Sequence, residues 1–301
     1  MANRWWVYQR ERFPVLGHGL LIAAFSLSAV SYSALLRRDE TVPAPAAAVT
    51  AFVSCFLFFL QLRIADEFKD FEEDARYRPY RPVPRGLVSL RELGAVATLA
   101  AVVQFGLALW LDLRLAALLA LVWGYLALMS KEFFIGAWLR PRPILYMLSH
   151  MVIVPLIDLY ATACDWLPKG EAAPSGLAWF LAASYGNGVV LELGRKIRAP
   201  EDEEAGVKTY SVLWGRRNAV LTWLAALTST GLCAYLAAWR IDFSLPVGVL
   251  LLILWAIGAA AGWAFLHAPQ RRRARRIEAF SGVWTLVMYL VLGLVPLLLR
   301  N

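Results

Sequence analysis

AFVSCFLFFLQLRIADEFKDFEEDARYRPYRPVPRG, residues 51–86, changes character partway along. Its first twelve residues carry no charge and are mostly large and apolar. Its second half is built from carboxylates, arginines and prolines. The apolar part reaches back to about residue 44, which gives a run of about 20 residues, the length an α-helix needs to cross bilayer hydrocarbon. A helix that leaves a membrane into so dense a cluster of both charges raises two questions: how many such helices there are, and what the cluster binds.

Runs of similar length recur near 15–36, 44–65, 90–111, 115–130, 143–164, 175–194, 218–239, 246–267 and 279–299. Open backbone polar groups are not tolerated in lipid, so each run is expected to be helical. The period-2 alternation of an outer-membrane barrel is absent. The expected fold is therefore an all-α integral membrane protein of nine transmembrane helices, with residues 1–301 as a single membrane domain. Composition agrees, since 60% of the 301 residues are hydrophobic and the mean hydropathy is +0.56. Cys55, Cys164 and Cys233 lie far apart, with neither metal-ligand spacing nor a disulfide framework. The start, MANRWWVYQRERFP, lacks the pattern of a cleaved signal and reads as an interfacial lead-in rich in Trp and Arg.

Nine spans sort the connecting segments onto two sides. The side with the N-terminus receives 24 of the 30 Lys and Arg residues and 15 of the 22 carboxylates, so it carries +9 and the other side −1. The positive-inside rule then makes the N-terminus cytoplasmic, and the expected location is a bacterial inner membrane. The net charge of +8 thus reflects orientation, anionic ligands and lipid headgroups, and no nucleic-acid partner is expected. RRRARR at 271–276 fits a stop and lipid anchor.

Asp66, Asp70 and Asp74 recur every four residues. Each such step turns a helix by about 40°, so the three form one acidic stripe flanked by Glu67 and Glu73. Carboxylates on one face suit Mg²⁺, which favours carboxylate, water and phosphate oxygens. Arg76, Arg78, Arg81 and Arg85 follow, interleaved with Pro79, Pro82 and Pro84. The prolines predict an extended, stiff loop whose arginines fold back to clamp phosphate oxygens. Acid for metal beside base for phosphate describes a diphosphate site; the alternative is a solvated face of mutually paired charges.

The DExxDxxxD pattern at 66–74, followed by RPVPRG at 81–86, resembles the first aspartate-rich motif of the UbiA-type intramembrane prenyltransferases. Asp66 stands where that family has Asn and Glu67 where it usually has Asp, while Asp70 and Asp74 match. After the sixth span, ELGRKIRAPEDEEAGVKTYSVLWG at 192–215 resembles the second motif through Asp202, Gly206, Lys208, Thr209 and Gly215. Arg198 occupies the place of that motif's other Asp, so one acidic ligand is lacking unless Glu192, Glu201 or Glu203 supplies it. YLALMSKEFF at 125–134 is similar to the family's YxxxKR segment, with Tyr125 and Lys131 matching and Glu132 in place of Arg.

The resemblance implies nine helices around a central cavity that opens to the cytoplasmic side, and Mg²⁺-dependent transfer of an isoprenyl group from an allylic polyprenyl diphosphate to an aromatic or lipidic acceptor. It implies Asp66, Glu67, Asp70, Asp74 and Asp202 as metal ligands, with Asp70, Asp74, Asp202 and Lys131 essential to turnover. Arg76, Arg78, Arg81, Arg85, Lys131, Lys196, Arg198 and Lys208 would bind the diphosphate. Two other readings are a terpene cyclase of the same fold, which needs no acceptor, and a membrane transporter. His150 and Asn187 read as hydrogen-bonded or packing residues within spans.

Overall fold

Each of the nine apolar runs is helical in the computed structural model, which describes residues 3–38, 42–204 and 206–300. A short interfacial helix, α1 (Arg4–Arg12), starts at Asn3, whose side chain accepts the Trp5 N–H at 2.9 Å. It is followed by α2 (Val15–Leu36), α3 (Pro45–Lys69), α4 (Phe71–Tyr77), α5 (Leu90–Leu111) and α6 (Leu115–Ser130). A turn at Glu132–Phe134 leads to α7 (Gly136–Leu139), α8 (Pro143–Met151) and α9 (Ile153–Trp166). The remainder comprises α10 (Leu177–Arg195), a short turn at Pro200–Asp202, α11 (Tyr210–Arg240), α12 (Ser244–His267), α13 (Arg271–Leu292) and α14 (Leu294–Arg300).

No strand occurs among the described residues. Seven helical stretches there are long and apolar enough to cross a membrane. The two expected spans outside that set are the 16-residue α6 and the 19-residue α10, which carries Asn187, Glu192 and Arg195. The fifth and ninth runs are each interrupted for a covalent reason. Pro155 and Pro296 have no N–H to return to the carbonyls of Met151 and Leu292, and the helices break at just those places, α8 from α9 and α13 from α14.

The chain divides into two compact units. The first is Met1–Val30, Thr41–Tyr146 and Leu156–Ala173; the second is Ser31–Glu40, Met147–Pro155 and Pro174–Asn301. In the first, α3 packs on α5, and α5 on α6. Helix α5 is fixed at its start by a capping box in which Ser89 and Glu92 satisfy each other's backbone N–H groups. A cluster of Tyr8, Ile64, Val83, Val88 and Leu93 ties α1, α3, α5 and the proline-rich segment into one small core.

In the second unit α10 and α11 pack closely, and α13 packs on both α10 and α12. The contact depends on small residues, as expected where helices associate in lipid. A Cβ on Gly194 would lie 2.1 Å from Ser281 Oγ and 2.9 Å from its Cβ. Ser281 Oγ also accepts the Trp223 Nε1–H at 3.0 Å. Gly194→Ala therefore forces two helices apart and breaks a buried hydrogen bond. The expected destabilisation is about 1–3 kcal/mol, read as a lowered thermal unfolding midpoint in detergent; an unchanged midpoint would show that the contact is soft.

Candidate functional site

The helical path of α3 continues beyond the apolar run. The Asp70 N–H bonds the Asp66 carbonyl at 2.9 Å, and the Asp74 N–H bonds the Asp70 carbonyl at 2.8 Å. Helix α4 thus extends α3 past one irregular residue, Asp70, with φ −96° and ψ 6°. The i, i+4 steps keep the aspartates on neighbouring positions of one face, but their surroundings differ sharply.

Asp74 is 1% exposed. Arg81 Nη1 donates to its Oδ2 at 2.6 Å, Arg78 Nη2 lies 2.8 Å from Oδ1, and Arg12 Nη2 lies 3.9 Å away. Glu67 is also buried; Arg12 Nε donates to it at 2.5 Å and Arg63 Nε lies at 3.4 Å. Asp66 and Asp70 are different, with side chains 41% and 37% exposed. Lys69 Nζ sits between them at 3.8 and 4.0 Å, and Arg63 Nη1 is 3.7 Å from Asp66. Lys69 donates to the Tyr146 hydroxyl at 3.0 Å, which fixes its ammonium beside the two carboxylates. Partial burial pushes the Asp70 carboxyl above the ordinary aspartate range; Lys69 opposes this, and Asp66, Asp74 and Glu73 reinforce it.

Of the expected metal set, then, Glu67 and Asp74 face arginines, and Asp66 and Asp70 face water. No three His, Cys, Asp or Glu side chains among the described residues gather closely enough to hold an ion by themselves. Two carboxylates one turn apart with spare oxygens still fit Mg²⁺, which completes its shell with water and phosphate oxygens and rarely takes an all-protein cage.

The extended loop expected at 78–86 is instead a series of turns. The Arg81 N–H bonds the Arg78 carbonyl, Arg85 bonds Arg81, Gly86 bonds Val83 and Leu87 bonds Pro82, at 2.9 to 3.0 Å. Proline supplies the fixed φ that tight turns use, and burial of Val83 in the small core pulls the segment inward. The turns aim Arg78 and Arg81 at Asp74. Arg85 instead pairs with Glu11 at 3.0 Å and bonds the Tyr80 carbonyl. Arg76 lies over the Tyr77 ring with its guanidinium carbon 5.3 Å from the centroid.

Lys131 caps the C-terminus of α6 and is exposed. The residues after it, Glu132, Phe133 and Phe134, have φ of 49°, 56° and 59°. Three consecutive left-handed residues with side chains cost about 1–2 kcal/mol each. The turn is held by a salt bridge of 2.8 Å from Arg140 to buried Glu132 and by Gly136, where any Cβ would lie 2.1 Å from Glu132 Oε2. The hydrogen bond to Glu132 raises the Arg140 pKa above its ordinary value, and Glu132, Tyr146 and Glu73 add to this through their charge. The turn thus stands beside the acidic stripe, with Glu132 serving as its anchor.

In the second unit, the other expected site residues are largely engaged with protein. Arg271 Nε donates to Asp202 at 2.6 Å and the Arg271 N–H bonds Glu201 at 2.8 Å, so the first arginine of the RRRARR run, while still half exposed, is tied to the second motif. Lys196 pairs with Glu192 at 2.7 Å and lies over the Tyr210 ring, and Arg195 also pairs with Glu192. Arg198 is 3.7 Å from Glu278. Thr209 caps α11 by accepting the Val212 N–H and donates to Glu203 at 2.7 Å. Glu192, Glu201 and Glu203, the three substitutes for the missing acid, therefore already have partners. Lys208 is exposed. Gly206 (φ 82°) and Gly215 (φ 76°) occupy left-handed positions that explain their place in the motif.

A family model for the UbiA prenyltransferase family matches residues 23–284. The chain belongs to the UbiA prenyltransferase family. Solved UbiA structures share its fold. An apo UbiA homologue from Aeropyrum pernix K1 is 16% identical, with a TM-score of 0.67 over 90% of this chain and 94% of that one. A digeranylgeranylglyceryl phosphate synthase is 13% identical, with a TM-score of 0.62 over 93% and 98%. A UbiA homologue from Archaeoglobus fulgidus bound to DMAPP and Mg²⁺ is 12% identical, with a TM-score of 0.51 over 91% and 98%. No curated protein sequence matches this one.

Against the UbiA motifs, four residues that meet motif side chains have no motif position of their own. Arg12 reaches Glu67 from 55 positions away, and Arg271 reaches Asp202 from 69 positions away. Tyr146 meets Lys69 across 77 positions. Arg63 lies one helical turn before Glu67, outside the motif. Lys69 was visible, since it lies between Asp66 and Asp70 in the motif itself.

Proposed function

We propose that the protein transfers an isoprenyl group from an allylic polyprenyl diphosphate to an aromatic or lipidic acceptor in the membrane, with Asp66 and Asp70 as the carboxylates that hold Mg²⁺ against the diphosphate. The observation that carries this reading is the division within the first motif. Glu67 and Asp74 are buried against arginines, while Asp66 and Asp70 keep oxygens open to solvent beside Lys69. Bound Mg²⁺ would supply charge neutralisation for the departing diphosphate.

The protein's own groups do the rest. Arg78 and Arg81 each have five N–H donors, of which Asp74 engages few, and the remainder are held in place to meet phosphate oxygens. Arg76 and Lys131 have exposed cationic ends suited to the same task. Asp74 is thereby a positioning residue for the arginines, and Asp202 does the same for the second motif by holding Arg271. Lys69, fixed by Tyr146, offsets the negative charge of Asp66 and Asp70. Once the carbon–oxygen bond of the substrate breaks, the acceptor's electron pair forms the new bond while its proton leaves. Nine spans, a single domain over 1–301 and a site facing a cytoplasm on the side of the N-terminus complete the proposal.

The test is pyrophosphate release from geranylgeranyl diphosphate by the purified protein. Release is expected with Mg²⁺ and a membrane extract supplying acceptors, and is expected to fall to background in EDTA. Release of equal rate without any acceptor, giving a hydrocarbon, would replace transfer by cyclisation; no release in either condition would refute the reading.

A further inference from the structure

Lys69 stands inside the first motif at a position that the DExxDxxxD pattern leaves open to any residue. Its ammonium lies 3.8 Å from Asp66 and 4.0 Å from Asp70. Both distances exceed hydrogen-bond reach, so the lysine lends its charge to the two carboxylates without occupying their oxygens. Of its three N–H donors, one goes to the Tyr146 hydroxyl at 3.0 Å, and among the described residues the other two have no acceptor. The centroid of the Tyr146 ring is 5.6 Å from the same nitrogen, a second contact that keeps the ammonium in place.

The charge around Lys69 is balanced. Of the six carboxylates between residues 66 and 74, all but the exposed Glu72 have a cation within 4.0 Å. The cations are also five: Arg12, Arg63, Lys69, Arg78 and Arg81. A divalent ion is drawn to an excess of negative charge, and this paired set has none while Lys69 is present. Without the lysine the same set would carry −1.

Resting on the reading that Asp66 and Asp70 hold the ion, we propose that Lys69 is a resident counter-ion with two opposed effects. It weakens the hold of Asp66 and Asp70 on a free divalent cation. It strengthens the hold on diphosphate, whose oxygens accept its two unused N–H donors. The first motif therefore holds little ion by itself and takes up ion and diphosphate together. Tyr146 is the positioning residue, since it fixes the ammonium at the point where both effects arise.

Two titrations of the full chain in detergent test this. One adds Mn²⁺ alone and follows the free ion by its paramagnetic resonance signal. The other adds radiolabelled inorganic pyrophosphate at Mn²⁺ levels that saturate every variant. Lys69→Met keeps the aliphatic stem and removes the charge. It is expected to tighten Mn²⁺ binding about tenfold and to weaken pyrophosphate binding about tenfold. Lys69→Gln is expected to do the same, and covers a Met variant that fails to fold. Lys69→Arg keeps the charge and is expected to leave Mn²⁺ affinity within about twofold of the parent. A lysine that only packs would move the two affinities together or not at all. An Mn²⁺ affinity unchanged or weakened in the neutral variants, or an unchanged pyrophosphate affinity, would therefore overturn this role and leave Asp66 and Asp70 as the ion's ligands. Absence of Mn²⁺ uptake by parent and variants alike, even with pyrophosphate present, would take the ion away from these carboxylates and this inference with it.

Discussion

Asp70→Asn is expected to reduce pyrophosphate release by about 10²–10³-fold, the loss seen when one preorganised electrostatic contact to a developing charge is removed. The replacement keeps size and shape but halves the carboxylate charge facing the proposed ion. Stability is expected to change little. The Asp70 side chain is 37% exposed and its ion-pair contact, with Lys69, spans 4.0 Å, a geometry that contributes about 0–1 kcal/mol. Asp66→Asn is expected to behave alike. Turnover assays and thermal unfolding of the same preparations separate the outcomes, and parental turnover in both variants would remove these residues from the metal site.

Asp74→Ala is expected to behave differently, losing both activity and stability. Its carboxylate is buried between Arg78 and Arg81, with Arg12 beyond. Deleting one member of a buried charge group leaves the others uncompensated, at a cost of about 3–5 kcal/mol. The partners here are 14% and 21% exposed at the side chain, so water relieves part of that, and the lower end is the expected value. The proline-rich turns should loosen, visible as faster tryptic cleavage after Arg76 or Arg85, whose following residues are not proline. Adding Arg81→Met to Asp74→Ala is expected to restore part of the stability but none of the activity, because the phosphate donor is gone. A singly substituted Asp74→Ala protein that unfolds like the parent would show that the arginines find other partners.

The contrast between these two aspartates marks how far the sequence could be read. The i, i+4 spacing of Asp66, Asp70 and Asp74 did predict one helical face, and the backbone hydrogen bonds through Asp70 maintain it. Spacing alone made the three equivalent. They differ because arginines arrive from elsewhere: Arg78 and Arg81 through turns that the prolines made look extended, and Arg12 from a separate helix. The same applies in the second motif, where Arg271, part of the RRRARR run, bonds Asp202 from 69 positions away. Glu132, which replaces a basic residue of the family pattern, has a structural account once Arg140 is seen to return to it across a left-handed turn.

What the amino-acid sequence determined by itself is the set of helices. Lipid imposes it locally, because a run of about 20 apolar residues must satisfy its own backbone. Proline breaks at 155 and 296 are local in the same sense. What only the tertiary structure decided is which carboxylates are buried against arginines and which stay partly exposed. That depends on where guanidinium groups far away in the chain come to rest, and because a buried carboxylate must be paired while an exposed one need not be, packing assigns Asp74 and Glu67 to arginine and leaves Asp66 and Asp70 open.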